Sequence, residues 1–409
     1  MSGRSSSSPL DLGRLSIVIV VPAMIIGAIE LTPTISPPVG ASPAVATAPG
    51  ADGRFPAGDE APTDATATTT TPSTLTASSE PITVAATGEI LPHPSIVEHA
   101  RRFGETGELR YDFGAVFADL RPTLEAADVA ICHLEVPVAP DDGQLSGYPS
   151  FGIPADIGPG IADGGWDRCS TASNHSNDKG TAGIVATLDA LDGAEVGFSG
   201  MARTPDEAAS APFAIVDGAV VAHFSYTWGF NASPPAEPWM VDVIDPERIL
   251  ADGARARSAG ADLVVVSLHW GDEYDTAGSD DQRRLATRLL SSPDIDLIIG
   301  HGPHVIQPVF EVDGEYALLS TGNLVANQGT DKPSTYDGMI ATLTFERGAD
   351  GQLRAAPPVI LPTWYDGAAG VVRSVDDSLD DPGLADLHDS LQASRDRIAA
   401  IVGPYLAVR

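Results

Sequence analysis

Cysteine is almost absent from this chain, whose 409 residues include only Cys132 and Cys169. They form no CxxC pair, so the sequence does not suggest dithiol redox chemistry. Each cysteine lies in a predicted strand just before a polar cluster, and those two strands could be neighbours. One disulfide in an oxidising compartment and two buried free thiols are both compatible with this placement.

Basic residues are also scarce. Lysine and arginine total 23 against 56 aspartates and glutamates, which gives a formal net charge of -33. Because such a chain repels phosphate, we expect no nucleic-acid partner and no binding to anionic membrane surfaces through charge. A polyanionic substrate could approach only where bound cations intervene. The hydrophobic content of 43% still suits a folded protein of one large domain or two ordinary ones.

The N-terminus resembles a targeting segment. An apolar stretch at residues 15–31 follows Arg4 and Arg14. Its length is close to the lower limit of roughly 17 residues for a membrane span, and slightly above that of a signal-peptide core. We therefore expect residues 1–31 to be a membrane anchor or a signal peptide. Since the positive charges precede the apolar stretch, the rest of the chain should be extracytoplasmic, either anchored or secreted.

The remaining sequence divides into three parts. Residues 32–80 are rich in Pro, Ala, Thr and Ser, and we expect a disordered linker because they hold too little apolar surface to offset chain entropy. From residue 81 to 372, short apolar runs alternate with helical stretches, and the later strands have hairpin-like spacing. This pattern predicts an α/β domain with a mixed sheet. Residues 373–409 are expected to form a C-terminal helical extension.

Several of the strand-like runs end in residue types that bind metals or transfer protons. These residues are Glu89, Glu135, Asn174 with His175, His269, and His301 with His304. The carboxyl ends of strands in an open α/β sheet share one edge, so these side chains should converge in one crevice. Carboxylate, amide and imidazole groups in one place are what a metal-dependent hydrolase needs.

Taken singly, each residue also has an ordinary structural explanation. Asn174 could form an Asx turn that starts a helix. His269 could be a satisfied core residue at the end of a buried strand. Glu89 and Glu135 could be surface charges or helix caps. The order of the clusters along the chain is therefore more informative than any one of them.

That order resembles the poly-gamma-glutamate capsule biosynthesis (CapA/PgsA-like) family, a branch of the calcineurin-like metallophosphoesterase superfamily. The resemblance covers about residues 82–330. Its specific segments are an intact His-Trp-Gly-x-Glu at residues 269–273 and Asn-His-x-x-Asp-x-Gly at residues 174–180. The family's Gly-Asp appears as Gly88-Glu89, and its Asn-Leu-Glu appears as His133-Leu134-Glu135. The resemblance implies a layered α/β sandwich with mixed sheets.

The resemblance also implies a set of site residues. The implied metal ligands are Glu89, Glu135, Asn174, His269 and His304. The family's His-x-His is replaced by Gly302-Pro303-His304, which leaves His301 as a candidate substitute. His175 and Asp178 are the implied catalytic residues, with His175 protonating a leaving oxygen or stabilising developing charge. One or two divalent ions, Mn, Fe or Zn, suit oxygen and imidazole ligands without thiolate.

Two functions follow from these expectations. The first is an extracytoplasmic metal-dependent hydrolase that acts on a phosphoester or an amide bond in a cell-surface polymer. The second is a non-catalytic envelope-assembly or polymer-binding protein with the same fold. Capsule synthesis proteins are the expected partners in both. Serine hydrolase chemistry is disfavoured, because residues 197–201 (Gly-Phe-Ser-Gly-Met) lack the final glycine of a nucleophile elbow.

Overall fold

The computed structural model describes residues 81–408, apart from residues 108, 217, 218, 330 and 350. The expected anchor or signal peptide at residues 1–31 and the expected linker at residues 32–80 lie outside the described residues. Within the described residues, no helix is both long and apolar enough to span a bilayer. The domain boundaries after residues 31, 80 and 372 stay predictions.

Fifteen strands form in the described part of the chain. The first eight are β1 (Ile82–Ile90), β2 (Val129–Leu134), β3 (Arg168–Ser170), β4 (Gly197–Ser199), β5 (Phe213–Val216), β6 (Ala219–Thr227), β7 (Leu263–His269) and β8 (Leu297–His301). The other seven are β9 (Val309–Val312), β10 (Glu315–Leu318), β11 (Asn323–Val325), β12 (Asp337–Arg347), β13 (Leu353–Ala355), β14 (Val359–Asp366) and β15 (Val371–Ser374).

Ten α-helices connect and cover these strands in the same residues. They are α1 (Pro94–Gly104), α2 (Gly114–Phe117), α3 (Arg121–Leu124), α4 (Ile157–Gly164), α5 (Gly180–Gly193), α6 (Pro205–Ala209), α7 (Pro246–Ser258), α8 (Asp280–Leu290), α9 (Val375–Asp380) and α10 (His388–Val402). Short 3-10 turns occur at Asp142–Gln144, Pro333–Tyr336, Pro382–Leu387 and Gly403–Tyr405.

The strands form two mixed sheets. The first has the order β15-β14-β12-β1-β2-β3-β4, with β11 paired to β1 and β13 paired to β12. Its strands β1 to β4 are parallel, and β12, β14 and β15 are antiparallel. The second has the order β5-β6-β7-β8-β10-β9, parallel in the centre and antiparallel at both edges. The predicted α/β architecture with mixed sheets is confirmed.

The two sheets pack face to face, and helices cover their outer faces. Strand β7 is buried on both sides: Leu263 and Val265 point into the core between the sheets, and Val264 and Val266 pack under α7 and α8. This explains its continuous apolar sequence, which is typical of a central parallel strand. Helices α1 to α5 cover the first sheet in the same way. The layers therefore follow the order helix, sheet, sheet, helix.

Two helices that the sequence pattern predicts, over residues 115–126 and over residues 383–402, differ from the structure. The first is split into α2 and α3. Pro122 lies in the first turn of α3, and a proline there cannot continue a preceding helix, because it lacks an N–H and clashes with the previous turn. The helix expected over residues 383–402 begins only at His388, and its Ile398 and Val402 belong to the core between the sheets.

Cys132 and Cys169 form a disulfide that joins β2 to β3. The two residues are direct register partners in the parallel pair, their Cα atoms are 4.4 Å apart, and both are fully buried. Of the two states that the sequence allows, the structure therefore contains the disulfide.

Replacing both cysteines by alanine should lower the free energy of unfolding by about 2–4 kcal/mol, because the crosslink restricts the unfolded chain. Urea unfolding of the oxidised wild type and of the double variant measures the difference. Reduced wild type is the control, since it keeps both side chains and loses only the bond. Equal stability of the oxidised wild type and the double variant would contradict this expectation.

Candidate metal centre

Strand ends from both sheets meet at one buried cluster. Glu89 lies near the end of β1, Glu135 directly follows β2, and His304 follows β8 by three residues. Ligand atoms of these three residues all lie within 4.8 Å of one another, and all three side chains are buried. The structure thus brings together three of the residues singled out from the sequence, two from one sheet and one from the other.

Charge pairing holds this cluster together. His304 Nδ1 lies 2.5 Å from Glu89 Oε2 and 3.8 Å from Glu135 Oε2. Burial alone would lower the pKa of His304, but the two carboxylates outweigh it and raise the pKa to about 10. Burial raises the pKa of Glu135 well above its usual range, and the charge of His304 opposes that shift. An imidazolium at His304 therefore compensates the buried acidic groups.

Gly302 explains why the His-x-His pattern is broken here. Its φ is +111°, and a Cβ at this position would lie 2.7 Å from the carbonyl oxygen of Trp270. Only glycine fits such a position without displacing backbone. In place of an imidazole, the backbone N–H of Gly302 donates to Glu89 Oε1 at 2.6 Å.

Some of the buried oxygens that the sequence singles out lack a hydrogen-bond partner. Both carboxylate oxygens of Glu135 and Oδ1 of Asn174 are buried without a hydrogen-bond partner among the described residues. Leaving such a group unsatisfied costs about 1–3 kcal/mol, and a bound cation would remove that cost. Carboxylate, amide oxygen and imidazole donors suit a divalent ion. Glu89, Glu135 and His304 therefore fit the implied metal, and a role for Asn174 as a ligand stays a prediction.

His269 lies beside the same loop. It is the last residue of β7, and its Nδ1 lies 3.0 Å from His133 Nε2. Its Nε2 faces Gly302: a Cβ added to that glycine would lie 3.4 Å from this nitrogen. Burial lowers the pKa of His269 well below its usual range. A neutral imidazole that faces the loop carrying His304 is able to bind a cation.

His301 does not join the three clustered residues. Its ring stacks on that of His133 across the two sheets, with centroids 4.1 Å apart. Its Nδ1 lies 3.1 Å from Thr321 Oγ1, and its Nε2 is buried without a partner in the described part of the chain. The substitution of His301 for the missing histidine stays a prediction.

His175 and Asp178 form a hydrogen-bonded pair at the edge of the cluster. His175 Nδ1 lies 2.7 Å from Asp178 Oδ2, and the same oxygen accepts the backbone N–H of Phe151 at 2.8 Å. Asn231 Nδ2 is 3.4 Å from His175 Nε2. The carboxylate thus orients the imidazole, whose other nitrogen is directed toward a cleft of about 350 Å³ that is also lined by His93, Glu273, Tyr274 and His304.

The sequence reasoning missed a group of neutral histidines between the sheets. His133 Nδ1 lies 2.8 Å from Ser170 Oγ, and His223 Nε2 lies 2.9 Å from Ser267 Oγ. Burial lowers the pKa of both rings. Strand alternation contained the signal, because residues 129 and 131 of β2 face the core between the sheets and His133 is the next residue on that face.

Asn323 is a further residue without an assigned role in the sequence reasoning. It is the register partner of Glu89 in the β1–β11 pair, and its Oδ1 is buried without a partner among the described residues. Its Nδ2 donates to the carbonyl oxygen of Thr335 at 2.8 Å, which fixes the amide. A second unpartnered amide oxygen therefore lies on the strand next to Glu89.

Comparison with known families decides the relationship. The family model described as "Bacterial capsule synthesis protein PGA_cap" matches residues 83–328, more than half of the chain. The chain belongs to this capsule synthesis family. The membership predicted from the motifs is confirmed.

Two curated relatives from Bacillus species support the family assignment. The capsule biosynthesis protein CapA of Bacillus anthracis is 27% identical over 260 residues, covering 61% of this chain and 61% of that protein. The PGA biosynthesis protein CapA of Bacillus subtilis is 32% identical over 197 residues, covering 46% of this chain and 49% of that protein. The matches thus span less than two thirds of either relative's length.

Solved structures give a weaker match. The calcineurin-like phosphoesterase YfkN from Bacillus subtilis aligns over 77% of this chain and 99% of that chain, with 17% identity and a TM-score of 0.40. A TM-score below 0.5 is too low to assign an activity to this capsule synthesis family member.

Replacing His304 by glutamine should destabilise the metal-free protein by about 3–5 kcal/mol, because two buried carboxylates lose their positive partner. Since the pKa of His304 is raised from 6.5 to about 10, its stabilising effect is complete below pH 6.5 and is lost as the pH rises through about 10. Urea unfolding with a chelator, at several pH values, measures the difference from wild type.

The control for this measurement is His388→Gln, in the first turn of α10, whose Nε2 lies 3.2 Å from the backbone carbonyl oxygen of Asp381. It should unfold like wild type at every pH. A His304→Gln variant as stable as wild type at pH 6.5 would show that the imidazolium does not compensate the carboxylates.

Proposed function

We propose that this protein is an extracytoplasmic metal-dependent hydrolase that acts on a phosphoester or amide bond of a cell-surface polymer of the poly-gamma-glutamate type. The observation that carries the proposal is the buried cluster of Glu89, Glu135 and His304, with the unpartnered oxygens of Glu135 at its centre. One or two divalent ions, Mn, Fe or Zn, are the proposed cofactors. Location outside the cytoplasm is proposed from residues 1–31.

The chemistry divides between the ion and the protein. A divalent ion held by Glu89, Glu135, Asn174 and His304 would polarise a substrate oxygen and lower the pKa of a bound water. The two sheets hold these ligands on rigid strand ends, so little reorganisation is needed when charge develops. As a ligand, His304 would bind in its neutral form, so the second proton of its imidazolium would be released to solvent.

His175 is the proposed general acid. Asp178 accepts a hydrogen bond from its Nδ1–H and so orients the ring, as a carboxylate does in a catalytic triad. The proton on Nε2 can then pass to the leaving oxygen or nitrogen of a substrate in the cleft. Asn231 Nδ2, 3.4 Å from Nε2, can donate only to the neutral ring, so this contact must give way when Nε2 carries the proton.

Two lysines support an anionic substrate. Lys179 and Lys332 are the only lysines in the sequence, and both lie near the cleft. Lys332 Nζ lies 3.7 Å from the centroid of the Tyr274 ring, and Tyr274 lines the cleft. Lys179 directly follows Asp178 and contacts Ser146 and Ser150. In a chain of net charge -33, cations at this position lower the barrier to an approaching polyanion.

The relatives support the biological setting. They are named for capsule and PGA biosynthesis, so we infer that this protein works with capsule or envelope synthesis proteins. Its attachment to the membrane, or its secretion, would depend on the N-terminal segment.

One observation favours the alternative, a non-catalytic assembly or polymer-binding protein. His304 already pairs with Glu89, and Gly302 supplies an N–H where the family pattern has an imidazole. The protein thus neutralises part of its own acidic cluster. Metal binding with turnover distinguishes the hydrolase from this alternative.

Glu135→Gln should remove most of the bound metal, because it replaces the charged central ligand by a neutral amide. Turnover should fall at least about 100-fold, because the several kcal/mol of transition-state stabilisation that the metal would supply are lost. Metal content of the purified full chain and hydrolysis of a phosphodiester and of a gamma-glutamyl amide, each with added Mn²⁺, are the measurements. Glu346→Gln is the matched control, because Glu346 is exposed and follows Phe345, which pairs with the start of β1.

Wild type that binds no metal and cleaves neither substrate would reject the hydrolase and favour the polymer-binding alternative. Metal binding by wild type, with turnover lost in Glu135→Gln and kept in Glu346→Gln, would reject the purely structural role.

Asp178→Asn should lower kcat by about 10²–10⁴-fold, the range expected when general acid catalysis is lost. Metal content should stay unchanged, because Asp178 acts through His175 and contacts neither carboxylate of the cluster. The two hydrolysis assays, together with metal analysis, measure both effects. Asp386→Asn, at an exposed position before α10, is the control. Unchanged kcat in Asp178→Asn would exclude His175 as the acid.

A further inference from the structure

A hydrogen-bonded chain links the backbone of β2 to His269. Ser170 Oγ lies 3.2 Å from the carbonyl oxygen of Cys132 and 2.8 Å from His133 Nδ1. His133 Nε2 in turn lies 3.0 Å from His269 Nδ1. All of these residues are buried. Because one end of the chain is a carbonyl oxygen, the direction of every hydrogen bond in it follows.

A carbonyl oxygen only accepts, so the hydroxyl proton of Ser170 points to Cys132. Ser170 Oγ then accepts a hydrogen bond from His133 Nδ1–H. A neutral imidazole carries one N–H, so His133 Nε2 is an acceptor and takes its hydrogen bond from His269 Nδ1–H. The opposite direction would leave two oxygens 3.2 Å apart with no proton between them, and one of three buried hydrogen bonds would be lost.

The surroundings favour the neutral form of both rings. Among the described residues, no carboxylate forms a hydrogen bond with His133 or His269. His301 packs flat against one face of His133, with an interplanar angle of 6°. Neither ring therefore has a counter-charge that would hold a second proton.

We propose that His133 is a positioning residue that holds the proton of His269 on Nδ1 and so presents the Nε2 lone pair to the metal centre. His269 Nε2 is the nitrogen next to Gly302, whose N–H binds Glu89. With its proton on Nε2, His269 could not be a ligand. Outer hydrogen bonds of this kind orient metal-binding histidines in general. The inference rests on the proposed metal centre, but the position of the proton can be measured without metal.

The first test is nitrogen NMR of the metal-free full chain with ¹⁵N-labelled histidine, with the His269 signals assigned by their loss in His269→Gln. Wild type should show protonated Nδ1 and unprotonated Nε2 at His269. His133→Phe keeps a ring against His301 but has no acceptor, so His269 should populate both tautomers. His133→Gln restores an acceptor with similar reach and should restore the single tautomer.

The second test is calorimetric titration of the same proteins with Zn²⁺ and with Mn²⁺. His133→Phe should bind about 10- to 100-fold more weakly than wild type, the usual effect of removing an outer partner of a ligand. His133→Gln should bind like wild type. His223→Gln is the matched control, because His223 is equally buried but hydrogen-bonds to Ser267 and not to His269. If His133→Phe does not fold, Ser170→Ala is used in its place. This variant removes the acceptor that holds the proton of His133 on Nδ1.

The outcomes separate this inference from the proposed function. A proton on Nε2 of His269 in wild type that binds metal normally would overturn the positioning role alone. The positioning role would also be overturned if His133→Phe bound Zn²⁺ and Mn²⁺ with wild-type affinity and kept the single Nδ1–H tautomer of His269. The expected tautomer in a wild-type chain that binds neither ion would overturn the metal centre and the positioning role together.

Discussion

Two glutamates buried side by side are the constraint on which the rest of this site depends. Glu89 and Glu135 are both inaccessible to solvent, and two carboxylates this close cannot both stay charged without a positive partner. His304 supplies one positive charge, and the N–H of Gly302 supplies a hydrogen bond. The oxygens of Glu135 accept no hydrogen bond from the described residues, and their nearest positive group, His304 Nδ1, lies 3.8 Å away. The cluster is thus only partly neutralised, which makes it suited to a cation.

The fold separates charged groups from neutral ones. The acidic cluster lies where strand ends meet the cleft, and the histidines between the sheets lie in a core without acidic hydrogen-bond partners among the described residues. In that core His133 connects the two sheets, because it belongs to β2 of the first and contacts His269 and His301 of the second. A buried polar network of this kind specifies how the sheets pack, as well as the orientation of His269.

The site departs from the pattern of the capsule synthesis family at two positions, residues 89 and 302, and the two departures are related. The loop at residues 301–304 carries glycine where an imidazole is expected, and the backbone geometry at Gly302 excludes any side chain there. The carboxylate at position 89 is longer by one methylene than an aspartate, and it reaches both the N–H of Gly302 and the imidazole of His304. The two departures therefore form one interaction.

The sequence by itself determined the family, the α/β class with mixed sheets and the strand ends that carry Glu89, Glu135 and His304. Periodicity and motif order are local properties, so they can be read without coordinates. The tertiary structure alone decided that the clustered residues come from two facing sheets, that Cys132 and Cys169 are paired, and that His301 stacks on His133 and does not join the cluster. Those outcomes depend on which strand faces which across the core, and residues far apart in sequence leave no periodic signal of that contact.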